Sequence, residues 1–265
     1  MKFIDFHCDT LLKFINAESG QSLYSNTIAS VDFKRLEKAN AMAQFFAIFL
    51  TDEEYINRKF GSDDEYIREL AKALKDEVAE NEDIISMAYN GEDLLENYEA
   101  GKVSGFLTIE DGRSVGGKLE KLDEYYDLGI RLISLTWNYE NCFGYPNSTK
   151  AEIMSKGLKD FGKEAIEYMN HIGIIVDVSH LSDGGFYDVA KLSKKPFIAS
   201  HSNARALTAH PRNMTDEMIK ILGENGGIMG LNFAPQFLNK EMARTYSKVE
   251  DMVAHLNYIK HVGGE

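Results

Sequence analysis

The chain has 265 residues and a mass of 29.9 kDa, enough for one α/β barrel of about 250 residues or for two small domains. Apolar residues make up 44% and charged residues 27%, which excludes intrinsic disorder and collagen-like structure, and no apolar run approaches the roughly 18 residues of a membrane span. With 29 Lys and Arg against 42 Asp and Glu the net charge is −13, and no basic block offsets it, so nucleic acid and anionic membranes are poor partners.

The N-terminus, MKFIDFHCDT, lacks a secretory apolar region, and the two cysteines, Cys8 and Cys142, lie far apart. That is no disulfide framework, and a reducing, cytoplasmic setting is expected.

In chain order, β-branched and aromatic runs alternate with amphipathic helical ones. Strands are expected at 3–7, 43–50, 103–110, 131–137, 173–180, 196–201 and 226–233, with a weaker run at 84–89 as an extra strand or hairpin arm. Most of these runs are continuously apolar, as strands buried on both faces of a parallel sheet should be. Helices are expected over 63–81, with Tyr66, Leu70, Ala73 and Val78 on one face, over 156–171, over 215–225 with Thr215 as N-cap, and over 247–263. Repeated strand–helix alternation without a linker argues for a single α/β domain with a parallel sheet.

Polar residues gather at the C-terminal ends of these strands. The first closes on His7-Cys8-Asp9, where residues two apart share a side, so His7 and Asp9 converge while Cys8 faces away as a buried thiol. The others close on Glu110-Asp111-Gly112, on Asp177-Val178-Ser179-His180 and on Ser200-His201-Ser202. In a (β/α)8 barrel that rim is where active sites are built, whereas an open doubly wound sheet collects its ligands at one switch point. Taken singly, each has a plain reading: a strand-end histidine is usually a hydrogen-bonded structural residue, and Glu110 before Asp-Gly is turn chemistry. Jointly, three of the seven histidines close expected strands. His171 and His261 lie near helix ends, His255 inside a helix and His210 in a loop. No nucleophile elbow, Walker A or dinucleotide fingerprint occurs.

This mixture of imidazoles and carboxylates suits a borderline divalent ion, Zn²⁺ first, with Mn²⁺, Co²⁺ or Fe²⁺ as alternatives. Five ligands are too many for one tetrahedral zinc that keeps a water, and they divide naturally if one carboxylate bridges two ions. The residues therefore read as a binuclear metallohydrolase.

HCDT on the first strand, TIEDG on the third, RLISLT on the fourth, DVSH on the fifth and SHSNARALTAHPRNMTD after the sixth together resemble the membrane (renal-type) dipeptidases. The resemblance runs from about residue 3 to the C-terminus. It implies a (β/α)8 barrel, two zinc ions and hydrolysis of dipeptides, including those with a C-terminal D-residue. His7 and Asp9 then correspond to ligands of one zinc, His180 and His201 to ligands of the other, and Glu110 to the bridging, catalytic carboxylate. Arg212, in HPRN, corresponds to the arginine that takes the substrate's free carboxylate, a bidentate pairing that favours short peptides. The implied chemistry is attack by a metal-bridging hydroxide, with one zinc stabilising the oxyanion.

Two positions depart from the family pattern. Trp137 stands where the family often has a histidine that assists the carbonyl oxygen. The family's eighth strand and its proton-managing aspartate should follow a Gly-Gly pair closely, and the sequence stops at Gly263-Gly264-Glu265. The expectation is therefore a barrel lacking its eighth strand and following helix, with an edge that invites association of copies. Two further readings follow: a catalytically impaired metal-binding barrel, and another metal-dependent amide hydrolase of the same fold.

Overall fold

Eight strands alternate with helices along the residues that the computed structural model describes, 2–14, 21–240 and 245–264. They are β1 (Phe3–Cys8), β2 (Ala41–Phe49), β3 (Ile85–Met87), β4 (Val103–Glu110), β5 (Ile130–Ser134), β6 (Ile175–Asp177), β7 (Ile198–Ser202) and β8 (Ile228–Leu231). Seven match the expected main strands, and β3 is the weaker run. The chain divides into two compact units, Met1–Ser114 with Asp123–Leu132, and Val115–Leu122 with Ile133–Glu265.

In the first unit β1 pairs in parallel with β2, β2 with β4, and β3 with the other edge of β4. Every residue of β4 is buried, which explains a mostly apolar run in which Ser104, Thr108 and Glu110 are the polar side chains. Phe6, Phe45 and Phe106 stack across the three neighbouring strands, with ring centroids 4.9 and 4.5 Å apart. The helix Asp63–Glu80 is capped by Ser62, whose hydroxyl accepts from the Glu65 amide, and it carries Asp63, Asp64 and Glu65 at its positive end. Its buried face is Tyr66, Ile67, Leu70, Ala71, Leu74 and Val78. Ala73, expected there, sits half-buried at the margin because Leu74 takes the inward position.

In the second unit β6 pairs in parallel with β7, and β7 with β8. The helix Asp160–Ile172 buries Ala165, Ile166 and Met169 and stops at Gly173, whose φ of 93° is open to glycine at little cost. Thr215 caps the helix Asp216–Glu224 as expected, accepting from the Met218 amide. The expected strand 173–180 survives only as Ile175–Asp177, which corrects the strand-end placement of His180. Asp177 Oδ1 accepts from the Ser179 amide at 2.9 Å, which turns the chain out of the sheet, and His180 adopts a φ of 70°. The run 131–137 likewise ends as a strand at Ser134.

Candidate metal centre

The first unit builds a cluster at the ends of β1 and β4. His7 Nε2 lies 3.3 Å from Asp9 Oδ1 and 3.4 Å from Glu110 Oε2, spacings that ligands of one ion adopt. His7 and Asp9 do come together, Asp9 one residue past the end of β1, and Cys8 between them is buried, its thiol pushed up to about 12 by that burial. Burial also penalises a charged His7 imidazole, but the carboxylates of Glu110 and then Asp9 outweigh it and hold its pKa well above the ordinary value. Glu110 itself is 4% exposed, and the residue after it, Asp111, has a φ of 79°. The turn is held by Arg113, which donates to both oxygens of Asp63 and to the carbonyls of Leu50 and Thr51.

The second unit brings His180 and His201 together, their Nε2 atoms 2.9 Å apart. The hydrogen-bond partners of the other ring nitrogens show where each ring donates. Asn138 Oδ1, 3.2 Å from His180 Nδ1, can only accept, so that nitrogen donates. The Ser200 hydroxyl donates to Asp177 Oδ2 at 2.6 Å and therefore accepts from His201 Nδ1 at 2.7 Å. In the neutral rings both Nε2 atoms then present lone pairs to one another. Such lone pairs repel at that distance unless a proton or a metal ion lies between them, and two neutral imidazole nitrogens are a donor set that fits a metal such as zinc.

Arg212, a residue type that usually lies exposed in a loop, is 6% exposed. Its guanidinium donates to the His201 carbonyl at 3.0 Å and lies against the Phe237 ring. A buried cation fixed to the backbone of a candidate ligand is well placed to receive an anionic group. Trp137 leans on the His180 ring at 6.4 Å between centroids, with exposed Tyr139 packed against it at 5.9 Å.

Sequence reasoning left Asp177 among the strand-end polar residues without a role. It is fully buried and accepts from the Ser179 and Ser200 amides and from the Ser134 and Ser200 hydroxyls. The signal lay in the serine next to each histidine, in DVSH and SHS. His255, inside the last helix, is a structural residue: its Nδ1 accepts from the Ala204 amide, and its Nε2 donates to the Leu238 carbonyl.

A model of the membrane dipeptidase family, peptidase family M19, matches residues 1–265. The chain belongs to that family. An uncharacterized dipeptidase of Schizosaccharomyces pombe is 28% identical over 249 residues, which span 91% of this chain and 60% of that protein. The chain thus spans about 60% of the length of that curated dipeptidase. Among solved structures, a metallopeptidase from Rhodobacter sphaeroides liganded with a phosphinate mimic of the dipeptide L-Ala-D-Ala superposes with a TM-score of 0.85 at 24% identity, over 100% of this chain and 83% of that one. Dipeptidase AC, a metallopeptidase of family M19, gives 0.84 at 24% identity over 99% of this chain and 80% of that one. An amidohydrolase from Pseudomonas aeruginosa gives 0.75 at 20% identity over 99% and 69%. The fold class expected from the sequence, α/β with a parallel barrel sheet, is that of these family M19 structures. Among the described residues no helix is long and apolar enough to cross a membrane.

Proposed function

We propose that this family M19 chain is a binuclear zinc dipeptidase, a single hydrolase domain over residues 1–265, acting in the cytoplasm on dipeptides with a free C-terminal carboxylate, C-terminal D-residues included. The observation that carries it is the pair of histidine Nε2 atoms converging at 2.9 Å. In this reading His7 and Asp9 hold one zinc, His180 and His201 the other, and Glu110 both. Bound zinc supplies a water of lowered pKa and a Lewis acid for the scissile carbonyl.

The chain's own residues do the rest. Glu110 and Asp9 supply the negative charge that retains the cations. Arg212 takes the substrate's carboxylate through its planar fork, which selects peptides that end one residue beyond the scissile bond. Support for the substrate class comes from the family and from the dipeptide mimic bound by the Rhodobacter metallopeptidase.

The test is metal content measured alongside hydrolysis of L-Xaa-D-Ala and L-Xaa-L-Xaa dipeptides. Two zinc ions per chain with turnover are expected, and a chain that binds no metal would sink the reading. Glu110→Ala should lose the paired site; retention of both ions by that variant counts against the bridge.

A further inference from the structure

Asp177 is a fully buried carboxylate that belongs to neither ligand set, and its hydrogen bonds lead to one place. Ser134, Ser179 and Ser200 surround it, and Ser200 passes the contact to the imidazole, donating to Asp177 Oδ2 at 2.6 Å and accepting from His201 Nδ1 at 2.7 Å. The rest of His201 is held by the same cluster. Its amide donates to Ser179 Oγ at 3.1 Å, and its carbonyl accepts from Arg212 at 3.0 Å. With amide, carbonyl and Nδ1 engaged, what His201 presents is Nε2, aimed at Nε2 of His180. On the opposite side, Asn138 does for His180 through one amide oxygen what Ser200 does for His201.

We propose that Asp177 and Ser200 form a positioning relay that locks His201 as its Nδ1–H tautomer, with Asn138 as the matching arm on His180. The use of the relay, presenting two lone pairs to a zinc ion, rests on the metal-centre reading above, whereas the tautomers stand on the geometry. The interposed serine has a physical rationale. A carboxylate in direct contact with imidazole stabilises the doubly protonated ring, which cannot ligate a metal. A hydroxyl carries the orientation across while the charge of Asp177 is spread over two amides and two hydroxyls. The roles are directional: Asp177 can only accept, so Ser200 must donate to it and His201 must donate to Ser200.

The test uses the metal-free protein with ¹⁵N-labelled histidine, in which long-range ¹H–¹⁵N correlation reads each tautomer, together with Zn²⁺ titration against a chromophoric chelator. The wild type should show His201 and His180 protonated at Nδ1. Ser200→Ala should lose the protected Nδ1 proton of His201 and weaken zinc about 10- to 100-fold, and Ser200→Thr, which restores a hydroxyl, should recover both. Asn138 is exposed, so Asn138→Ala tests the second arm even if Ser200→Ala fails to fold, and it should remove the His180 signal. Protonation of His201 at Nε2 in the wild type, or zinc affinity in Ser200→Ala within about twofold of wild type, would overturn the relay. A wild-type chain that takes up no zinc sinks the proposed function instead, and the tautomer readout then decides the relay by itself.

Discussion

His180 and His201 face each other Nε2 to Nε2 across 2.9 Å, and each has its Nδ1 committed to a hydrogen bond. Between two neutral rings the contact is relieved by a cation at the Nε2 atoms. That cation is either a proton, which makes one ring an imidazolium and keeps its Nδ1 bond, or a metal ion, and a metal that binds here couples to folding.

Zinc should accordingly raise the melting temperature. At a hundredfold excess over Kd a single ion contributes about 2.7 kcal/mol, or roughly 5–10 °C for a chain of this size. In His201→Ala the zinc-dependent shift should shrink, because one of the two facing nitrogens is gone. Calorimetry with and without a chelator reads the shift. A variant whose shift equals that of the wild type would place the ion elsewhere.

Arg212 should act on binding more than on chemistry. Its guanidinium is held by the His201 carbonyl in a buried setting, so Arg212→Lys keeps a charge but loses the planar fork. Arg212→Ala is expected to raise KM for dipeptides by about 10- to 100-fold with kcat much less affected. C-terminally amidated dipeptides provide the control, since they should be handled alike by wild type and variant. A fall confined to kcat would contradict a carboxylate-binding role.

Much of this was legible in the sequence. The period-2 geometry of a strand pointed to His7 and Asp9 together, and the mostly apolar run VSGFLTIE marked β4 over the residues it occupies, with Glu110 at its end. What failed depends on contacts remote in sequence. GIIVDVSH reads as one strand through His180, but side-chain hydrogen bonds to Asp177 end β6 three residues earlier and turn His180 into the left-handed region. Asp177 stayed without a role for the same reason: what a strand-end aspartate does depends on the donors around it, one of them forty-three residues away at Ser134.

Gly223 is another position that only the packing explains. A Cβ there would lie 2.1 Å from the Gly263 carbonyl oxygen, where the helix Asp216–Glu224 meets the helix Val249–Gly263. Alanine gains about 1 kcal/mol in helix propensity over glycine, but overpacking costs about 1–3 kcal/mol, and a backbone oxygen cannot rotate away. Gly223→Ala should therefore lower the urea midpoint. A more stable variant would mean that the two helices separate at little cost.

Arg113 ties the Glu110 turn together. It donates to both oxygens of Asp63 at 3.0 and 3.1 Å and to the carbonyls of Leu50 and Thr51 at 3.0 and 2.8 Å, and the Leu50 amide in turn donates to the Glu110 carbonyl. Lysine cannot reproduce that fork, so Arg113→Lys should cost about 2–3 kcal/mol despite conserving charge. Asp63→Asn, which keeps one acceptor, should cost less. Equilibrium unfolding of the two variants gives the order, and the reverse order would show that the ion pair matters more than the carbonyl contacts.

His255 gives the fold a pH dependence of defined sign. Its Nδ1 accepts from the Ala204 amide and its Nε2 donates to the Leu238 carbonyl, so the folded ring is neutral, and a second proton would have to displace the amide contact. Burial lowers its pKa below the ordinary value. The unfolded chain therefore binds the proton at a higher pH than the folded chain, and stability rises with pH across that window. The contribution is complete above about pH 6.5 and is lost as the pH falls toward the depressed folded value. Glutamine at this position cannot titrate, so His255→Gln should lose less melting temperature than wild type between about pH 7.5 and about pH 5.5, either side of the ordinary histidine value. Equal losses in the two proteins would place the acid sensitivity elsewhere, with His210, whose pKa burial and the neighbouring Arg212 also lower, as the next position to replace.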